Sequence, residues 1–255
     1  MKDMFRLDDK VAVVIGGAGG IGEACAAALG ARGAKIVLGG RTLSKLEDAA
    51  KRIEAETETQ ALVFAVDVTS DESIHDLQRQ VVDSCGTVDI LVNAHGINMK
   101  VPALDIASAG WDSLFATNVR GTALLCKAFG KIMVEKKKGK IINLSSVRGI
   151  RGTDGGNTLY GASKGAVDMI TRMLAAEWAI HNVNVNAIAP SLIMTEMVRK
   201  NVAPERLEMF LARSPLKRFA VPEDVAAACV YLASAESDFV TGQVFYIDGG
   251  LTAVG

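Results

Sequence analysis

Seven short apolar runs, separated by longer stretches of helical periodicity, decide what this chain can fold into. Val11–Ile15, Lys35–Leu38, Ala61–Val66, Ile90–Val92, Lys140–Leu144, Val183–Ile188 and Val244–Ile247 read as strands. A strand with one wet face alternates apolar and polar residues. Most of these runs do not alternate, so both of their faces are expected to be covered. Helical patterns lie between them near 20–32, 44–56, 71–84, 109–137, 158–181 and 222–234. Strands and helices in alternation predict an α/β fold of three layers, doubly wound on a parallel, seven-stranded sheet. No linker, repeat or low-complexity tract interrupts the 255 residues, so a single domain over 1–255 is expected. In such a sheet ligands bind beyond the carboxyl ends of the strands, near the point where strand order reverses. The residues that follow each strand therefore carry the most information about chemistry.

The first run leads into Gly16-Gly17-Ala18-Gly19-Gly20-Ile21-Gly22 and an alanine-rich helix, with five glycines in seven residues. Glycines at such a turn let the backbone approach a pyrophosphate, and the helix N-terminus offers free N–H groups at the positive end of its dipole. Two spacings fit. Gly17, Gly19 and Gly22 match G-x-G-x-x-G, whereas Gly16, Gly20 and Gly22 match G-x-x-x-G-x-G. The second run ends in Leu38-Gly39-Gly40-Arg41-Thr42. A chain that takes NAD carries a carboxylate there to grip the ribose 2′-hydroxyl. Here Gly40 leaves room and Arg41 offers a guanidinium suited to the 2′-phosphate of NADP, so NADP rather than NAD is the expected cofactor. Ser44 and Lys45 are close enough in sequence to assist. Asp67, after the third run, either accepts a hydrogen bond from an adenine amino group or caps the next helix, a job also open to Ser70. Asn93-Ala94-His95-Gly96, after the fourth run, is expected to pass along the cofactor, with His95 read as structural.

Tyr160 and Lys164 stand four apart at the start of the helical segment 158–181 and share a face. Ser145-Ser146 ends the fifth run, at the same edge of the sheet as the glycine turn. A tyrosine acting near neutral pH must be moved from a pKa of about 10, and reaching 7 takes about 4 kcal/mol of differential stabilisation of the phenolate. A neighbouring ammonium and the positive nicotinamide of an oxidised cofactor have the right sign. A serine hydroxyl can hold the substrate oxygen while a hydride moves. The chemistry implied is hydride exchange between NADP(H) and a carbonyl or secondary alcohol, with Tyr160 giving and taking the proton and no metal required.

Lys and Arg number 28 against 29 Asp and Glu, a balance that argues against a nucleic-acid surface or a polybasic membrane anchor. Lys136-Lys137-Lys138 ends a helical segment and reads as a solvated helix end. Met1 to Lys10 lacks the apolar core of a signal peptide, and no segment is apolar for long enough to span a bilayer, so a cytoplasmic protein is expected. Cys25, Cys85, Cys126 and Cys229 form no CxxC pair, and His75, His95 and His181 are scattered, so neither a disulfide framework nor a metal site is expected.

With these residues in view, the chain resembles the short-chain dehydrogenase/reductase family over essentially its whole length, which implies a Rossmann fold. The matching pieces are Gly16, Gly20 and Gly22 of the glycine turn, Asp67-Val68, Asn93-Ala94-His95-Gly96, Asn118-Val119, Ser146, Tyr160-Gly161-Ala162-Ser163-Lys164, Pro190-Ser191-Leu192-Ile193-Met194-Thr195 and Asp248-Gly249-Gly250. The resemblance implies that Tyr160 is the acid/base and that Lys164 binds the nicotinamide ribose and lowers the tyrosine pKa. It implies Ser146, with Ser145 beside it, as donor to the substrate oxygen, and Asn118 as holder of a water in a proton relay. Gly16, Gly20, Ile21, Gly22, Asp67, Val68, Asn93, Gly96, Tyr160, Lys164, Pro190, Ile193 and Thr195, together with Arg41, are then expected to line the cofactor. Ile193 and Thr195 would meet its carboxamide. Members are usually tetramers or dimers built on two long helices, here 109–137 and 158–181, so a homo-oligomer is implied.

The chain departs from the family pattern at Ile15 (usually threonine), at Ala94-His95, at Ser191, and in a Ser146-to-Tyr160 gap one residue longer than usual. Residues 191–216 are expected to form a substrate lid, with Met194, Met197, Met209 and Phe210 among Arg199, Lys200, Arg206 and Arg213. Methionines make an adaptable apolar surface and the cations would attract an anionic substrate, although a plain amphipathic helix carries the same pattern. Ala176-Glu177-Trp178-Ala179 and Val185-Asn186-Ala187-Ile188-Ala189-Pro190 look like the family's sugar-acid and polyol dehydrogenases, while the general pattern also resembles its 3-oxoacyl-carrier-protein reductases. A non-catalytic, NADP-binding redox sensor is the remaining alternative, and such proteins usually lack the tyrosine or the lysine present here.

Overall fold

Strands without alternation need helices on both sides, and that is what the computed structural model, which describes residues 4–254, contains. β1 (Val11–Ile15), β2 (Lys35–Gly40), β3 (Ala61–Ala65), β4 (Ile90–Asn93), β5 (Gly139–Leu144), β6 (Val183–Pro190) and β7 (Val244–Ile247) form one sheet in the order β3-β2-β1-β4-β5-β6-β7. Every neighbouring pair is parallel. The order reverses between β1 and β4, which opens a crevice beyond their carboxyl ends. β1, β4 and β5 are buried throughout, whereas the edge strands β3 and β7 are only partly covered.

The helices are α1 (Gly20–Gly30), α2 (Leu43–Thr57), α3 (Asp71–Cys85), α4 (Ser108–Phe115), α5 (Gly121–Glu135), α6 (Thr158–Trp178), α7 (Glu196–Asn201), α8 (Pro204–Arg213) and α9 (Pro222–Ala233). Leu29, Leu46, Ile53 and Leu232 of α1, α2 and α9 pack on one face of the sheet. Leu77, Leu125, Phe129 and Met133 of α3 and α5 pack on the other. At about 25 cal/mol per Å² of apolar surface, two such layers supply the dominant favourable term of folding.

The structure adds detail to two helical segments and corrects one expectation. The segment 109–137 is helical without a break over 108–135, but α4 and α5 are joined by a π-helical turn over Ala116–Arg120. Asn118 sits in that turn, with its side chain bonded to both backbone groups of Ile97 and to Ser163, contacts distant in sequence that accompany the wider turn. Lys136 is not solvated. Its ammonium reaches the Val88 carbonyl, Thr87 Oγ1 at 3.2 Å and Asp89 Oδ1 at 2.8 Å, which leaves Lys137 and Lys138 as the exposed pair. The α6 segment stops at Trp178, where a 3₁₀ turn and the left-handed Asn182 (φ 55°) end it. No helix among the described residues is long and apolar enough to cross a membrane.

Candidate active site

The glycine turn lies at the reversal point. Ala94 N donates to Ile15 O at 2.8 Å and Gly16 N donates to Gly39 O at 2.7 Å, tying the turn to the ends of β2 and β4. Gly16 has φ +83°, and a Cβ there would stand 2.8 Å from the backbone of Ala94 and His95. A Cβ on Gly22 would stand 2.3 Å from Gly16 O, and one on Gly20 would stand 2.9 Å from Thr195 Cγ2. Gly19, at 3.4 Å from Gly16 O, has ordinary room. The geometry thus makes its demands at Gly16, Gly20 and Gly22, and also at Gly17, where a Cβ would stand 2.8 Å from Leu38 Cδ2 and 3.2 Å from Val14 O, but not at Gly19. α1 has no side-chain cap, so the N–H groups of its first turn, at Gly20, Ile21 and Gly22, are free to bind an anion. This cradle fits a dinucleotide pyrophosphate.

Along the same edge, Arg41 is exposed at the end of β2 and acts electrostatically on Asp67 beyond β3. Asp67 Oδ1 accepts from Thr69 N and Oγ1, so its side chain shapes the turn, while Ser70 caps α3. Val68 is buried, with its carbonyl against Gly121. Asn93 turns inward: its amide donates to Asn143 Oδ1 at 2.9 Å, so it can face a ligand only through its backbone. His95 is half-buried, 3.4 Å from Thr122 Oγ1, and burial with Lys164 nearby lowers its pKa to about 3. It is neutral at physiological pH, in keeping with a structural role. Ile193 is buried in an isolated bridge to Ala220, and Thr195 Oγ1 accepts from Val198 N at the start of α7.

The end of β5 and the first turns of α6 meet beside this crevice. Ser146 lies near enough to Tyr160 for its hydroxyl to favour the phenolate. Ser146 Oγ also lies 3.5 Å from the Pro190 carbonyl and accepts from Arg148 N at 3.2 Å. Ser145 points the other way, to the Lys164 carbonyl at 3.3 Å and to Asp168. Of the two serines, only Ser146 faces Tyr160. Lys164 Nζ stands 5.7 Å from the Tyr160 ring centroid and donates to the Leu144 carbonyl at 2.6 Å. Gly96 lies beside Asn118 and Lys164, where a Cβ would sit 3.3 Å from Asn118 Oδ1 and 3.6 Å from Lys164 Nζ.

Burial pushes the Tyr160 phenol above its ordinary pKa, against the pull of Ser146 and Arg148. Burial also lowers Lys164 to about 8, with Asp168 holding it up. The sequence singled out Tyr160 and Lys164 but neither Asp168 nor Arg148. The available signals were an acid four residues after the lysine and a cation two residues after the serine. A cavity of about 340 Å³ opens behind α8, lined by Ser191, Leu192, Phe210, Tyr246 and Asp248, and does not include Tyr160. No cluster of three or more metal-ligating side chains occurs among the described residues.

A phenol can exchange a proton but not a hydride, and the cradle beside it fits a dinucleotide that could supply one. Fold and site together therefore define a nicotinamide-dinucleotide oxidoreductase. The family whose model is described as enoyl-(acyl carrier protein) reductase matches residues 16–252, and the chain belongs to this family of short-chain dehydrogenases/reductases acting on CH–OH groups. It is 36% identical over 252 residues to 5-keto-D-gluconate 5-reductase of Escherichia coli K12, covering 98% of each chain. It is 38% identical over 253 residues to the L-tagatose-forming galactitol 2-dehydrogenase of Cereibacter sphaeroides, again covering 98% of each. Among solved structures, a gluconate 5-dehydrogenase from Burkholderia cenocepacia J2315, in complex with NADP and tartrate, superposes with TM-score 0.93 at 33% identity over 99% of both chains.

Proposed function

We propose that this chain uses NADP(H) to interconvert a secondary alcohol and a ketone on a sugar acid or polyol. Tyr160 serves as acid/base, Ser146 as donor to the substrate oxygen and Lys164 as the charge that favours the phenolate. The observation that carries this reading is the approach of Ser146 to Tyr160 with the Lys164 ammonium 5.7 Å from the ring, beside a cradle that fits a pyrophosphate. A unit charge about 6 Å away is worth roughly 3 kcal/mol at an effective dielectric of about 20. That falls short of the ~4 kcal/mol needed, before burial is counted. When bound, the nicotinamide supplies the hydride and, oxidised, a second positive charge.

In oxidation Tyr160 Oη takes the proton from the substrate hydroxyl; in reduction it returns one. Asn118, already paired to Ile97 and Ser163, would act on the relay beside Gly96. Gly16, Gly20, Ile21 and Gly22 would hold the pyrophosphate, Asp67, Val68, Asn93 and Gly96 the adenosine side and the ribose, and Pro190, Ile193 and Thr195 the carboxamide. Residues 191–216, with α7 and α8, would cover the substrate.

NADP is favoured over NAD by Arg41 at the end of a β2 that carries no carboxylate. The NADP in the Burkholderia relative supports the same choice. Sugar acids and polyols are favoured by the printed activities of the relatives. A second reading, reduction of a 3-oxoacyl chain on a carrier protein, draws on the description of the family model. We further infer a cytoplasmic homo-oligomer, the apolar exposure of Met169 and Met173 on α6 supplying its contact surface.

Fluorescence titration of NADPH and NADH against wild type and Arg41→Ala tests the cofactor. NADPH is expected to bind more tightly and to lose roughly tenfold in the variant, with NADH unchanged. Equal or tighter NADH binding by wild type would sink the NADP assignment and leave the Tyr160 chemistry standing.

A further inference from the structure

Positive side chains outnumber carboxylates at the mouth of the site. Lys100 follows β4, Arg148 and Arg151 follow β5, and Arg206 and Arg213 lie on α8. Three separate segments thus bring five cations together. Arg148 feels Arg151, Arg213 and Arg206, and Lys100 feels Arg206 and Arg148. The segments are braced against one another: Val101 N donates to Gly156 O at 3.0 Å, and Arg206 Nη2 lies 3.3 Å from the Cβ position of Gly155. Among the described residues none of the five makes an ion pair within 4.0 Å, and Asp154 is the one carboxylate that acts on Arg148.

Some arginines elsewhere are paired, as in Arg52 with Glu23 and Arg218 with Asp224. Arg151 Nη1 is buried without an acceptor. A net charge of −1 means that the cluster is a local feature and not general basicity. Gathered cations repel, so the arrangement becomes favourable when an anion lies among them. Its position fits a substrate, because Arg148 N bonds Ser146 Oγ and the Arg148 guanidinium acts on the Tyr160 phenol.

We propose that these cations form a subsite for an anionic oxyacid group of the substrate, a carboxylate or a phosphate monoester, with Arg148 and Arg206 as its specificity-determining residues. The subsite rests on the reading of Tyr160 as acid/base, and it narrows the substrates from sugar acids and polyols in general to those that carry charge. Because Arg206 comes from α8, the anion ties the segment 191–216 to the loop after β5. A single substrate group then fixes both the reacting carbon and the cover above it.

The test measures kcat/KM for oxidation of D-gluconate, D-gluconate 6-phosphate and the neutral hexitol D-glucitol. Wild type, Arg148→Met, Arg206→Met and the remote control Lys131→Met are compared. Wild type is expected to prefer an anion, and whichever anion is preferred names the group. Arg206→Met should lose roughly 10- to 100-fold on that anion and at least tenfold less on the hexitol, while Arg148→Met, which also acts on the Tyr160 phenol, should lose on both and more on the anion. Raised salt should depress the anion reaction selectively, and Lys131→Met should change nothing. Equal losses on anion and hexitol, a wild-type preference for the hexitol, or a preference for an acyl-carrier thioester that the anions do not inhibit would overturn the subsite. If wild type oxidises none of the three, the activity reading fails instead. The subsite is then judged by protection from thermal unfolding by D-gluconate 6-phosphate, which must be present in wild type and lost in Arg148→Met.

Discussion

Lys164 and Asp168 lie four apart on α6, each only 4% exposed, and each acts on the charge of the other. Burial lowers Lys164 to about 8, so its ammonium is populated below that pH and lost above it, while the Asp168 carboxylate opposes the fall. Asp168→Asn removes that opposition. The alkaline limb of the kcat/KM profile is therefore expected to move to lower pH, and Asp168→Glu to bring it part of the way back. A scaffold role alone would lower kcat at every pH and leave the limb in place. Tyr160 and Lys164 were legible in the sequence because helix geometry puts residues four apart on one face. Asp168 was not, since an acid four residues after a lysine reads as an ordinary surface pair. It is buried because Gly149 has no side chain: a Cβ there would lie 2.7 Å from Asp168 Oδ2. Ser146 was preferred to Ser145 by resemblance alone, because which of them turns toward Tyr160 depends on how the chain leaves β5.

At the scale of the element, the glycine turn separates two spacings that the sequence left open. Gly22→Ala would put a Cβ 2.3 Å from a backbone oxygen that cannot yield, whereas Gly19→Ala meets only a 3.4 Å contact. Dinucleotide affinity, read by fluorescence titration, should collapse at least 100-fold in the first variant and change less than about threefold in the second, at a folding cost of the first of order 1–3 kcal/mol. Loss of binding in Gly19→Ala would restore the alternative spacing. The strands were readable from the sequence because a strand covered on both faces is a continuous apolar run, bounded in space by Gly and Asx turns. The π-helical turn at Ala116–Arg120 was not, because the contact that accompanies it joins Asn118 to Ile97, a partner 21 residues away. α7 and α8 were read as one segment although Pro204, at the first turn of α8, marked the boundary.

For the molecule as a whole, the apolar residues left outside are the ones that need a partner. Met169 and Met173 of α6 are 53% and 55% exposed on the side turned away from the sheet. Light scattering behind a sizing column is expected to give a dimer or tetramer, and Met173→Glu to shift the population toward monomer; a wild-type monomer at micromolar concentration would dismiss the assembly. The inside of the molecule is closed in a different sense. Cys25, Cys126 and Cys229 are enclosed in the two layers of packing and only Cys85 is partly open to solvent. Cys126 is pushed up to about 12 by burial, and Cys229 well above its ordinary value by Cys25 beside it and by burial. A thiol reagent therefore meets one sulfur on the closed chain and four on the opened one. The protein carries its own tally of breathing: each further sulfur that reacts marks a moment when the packing on that face of the sheet came apart.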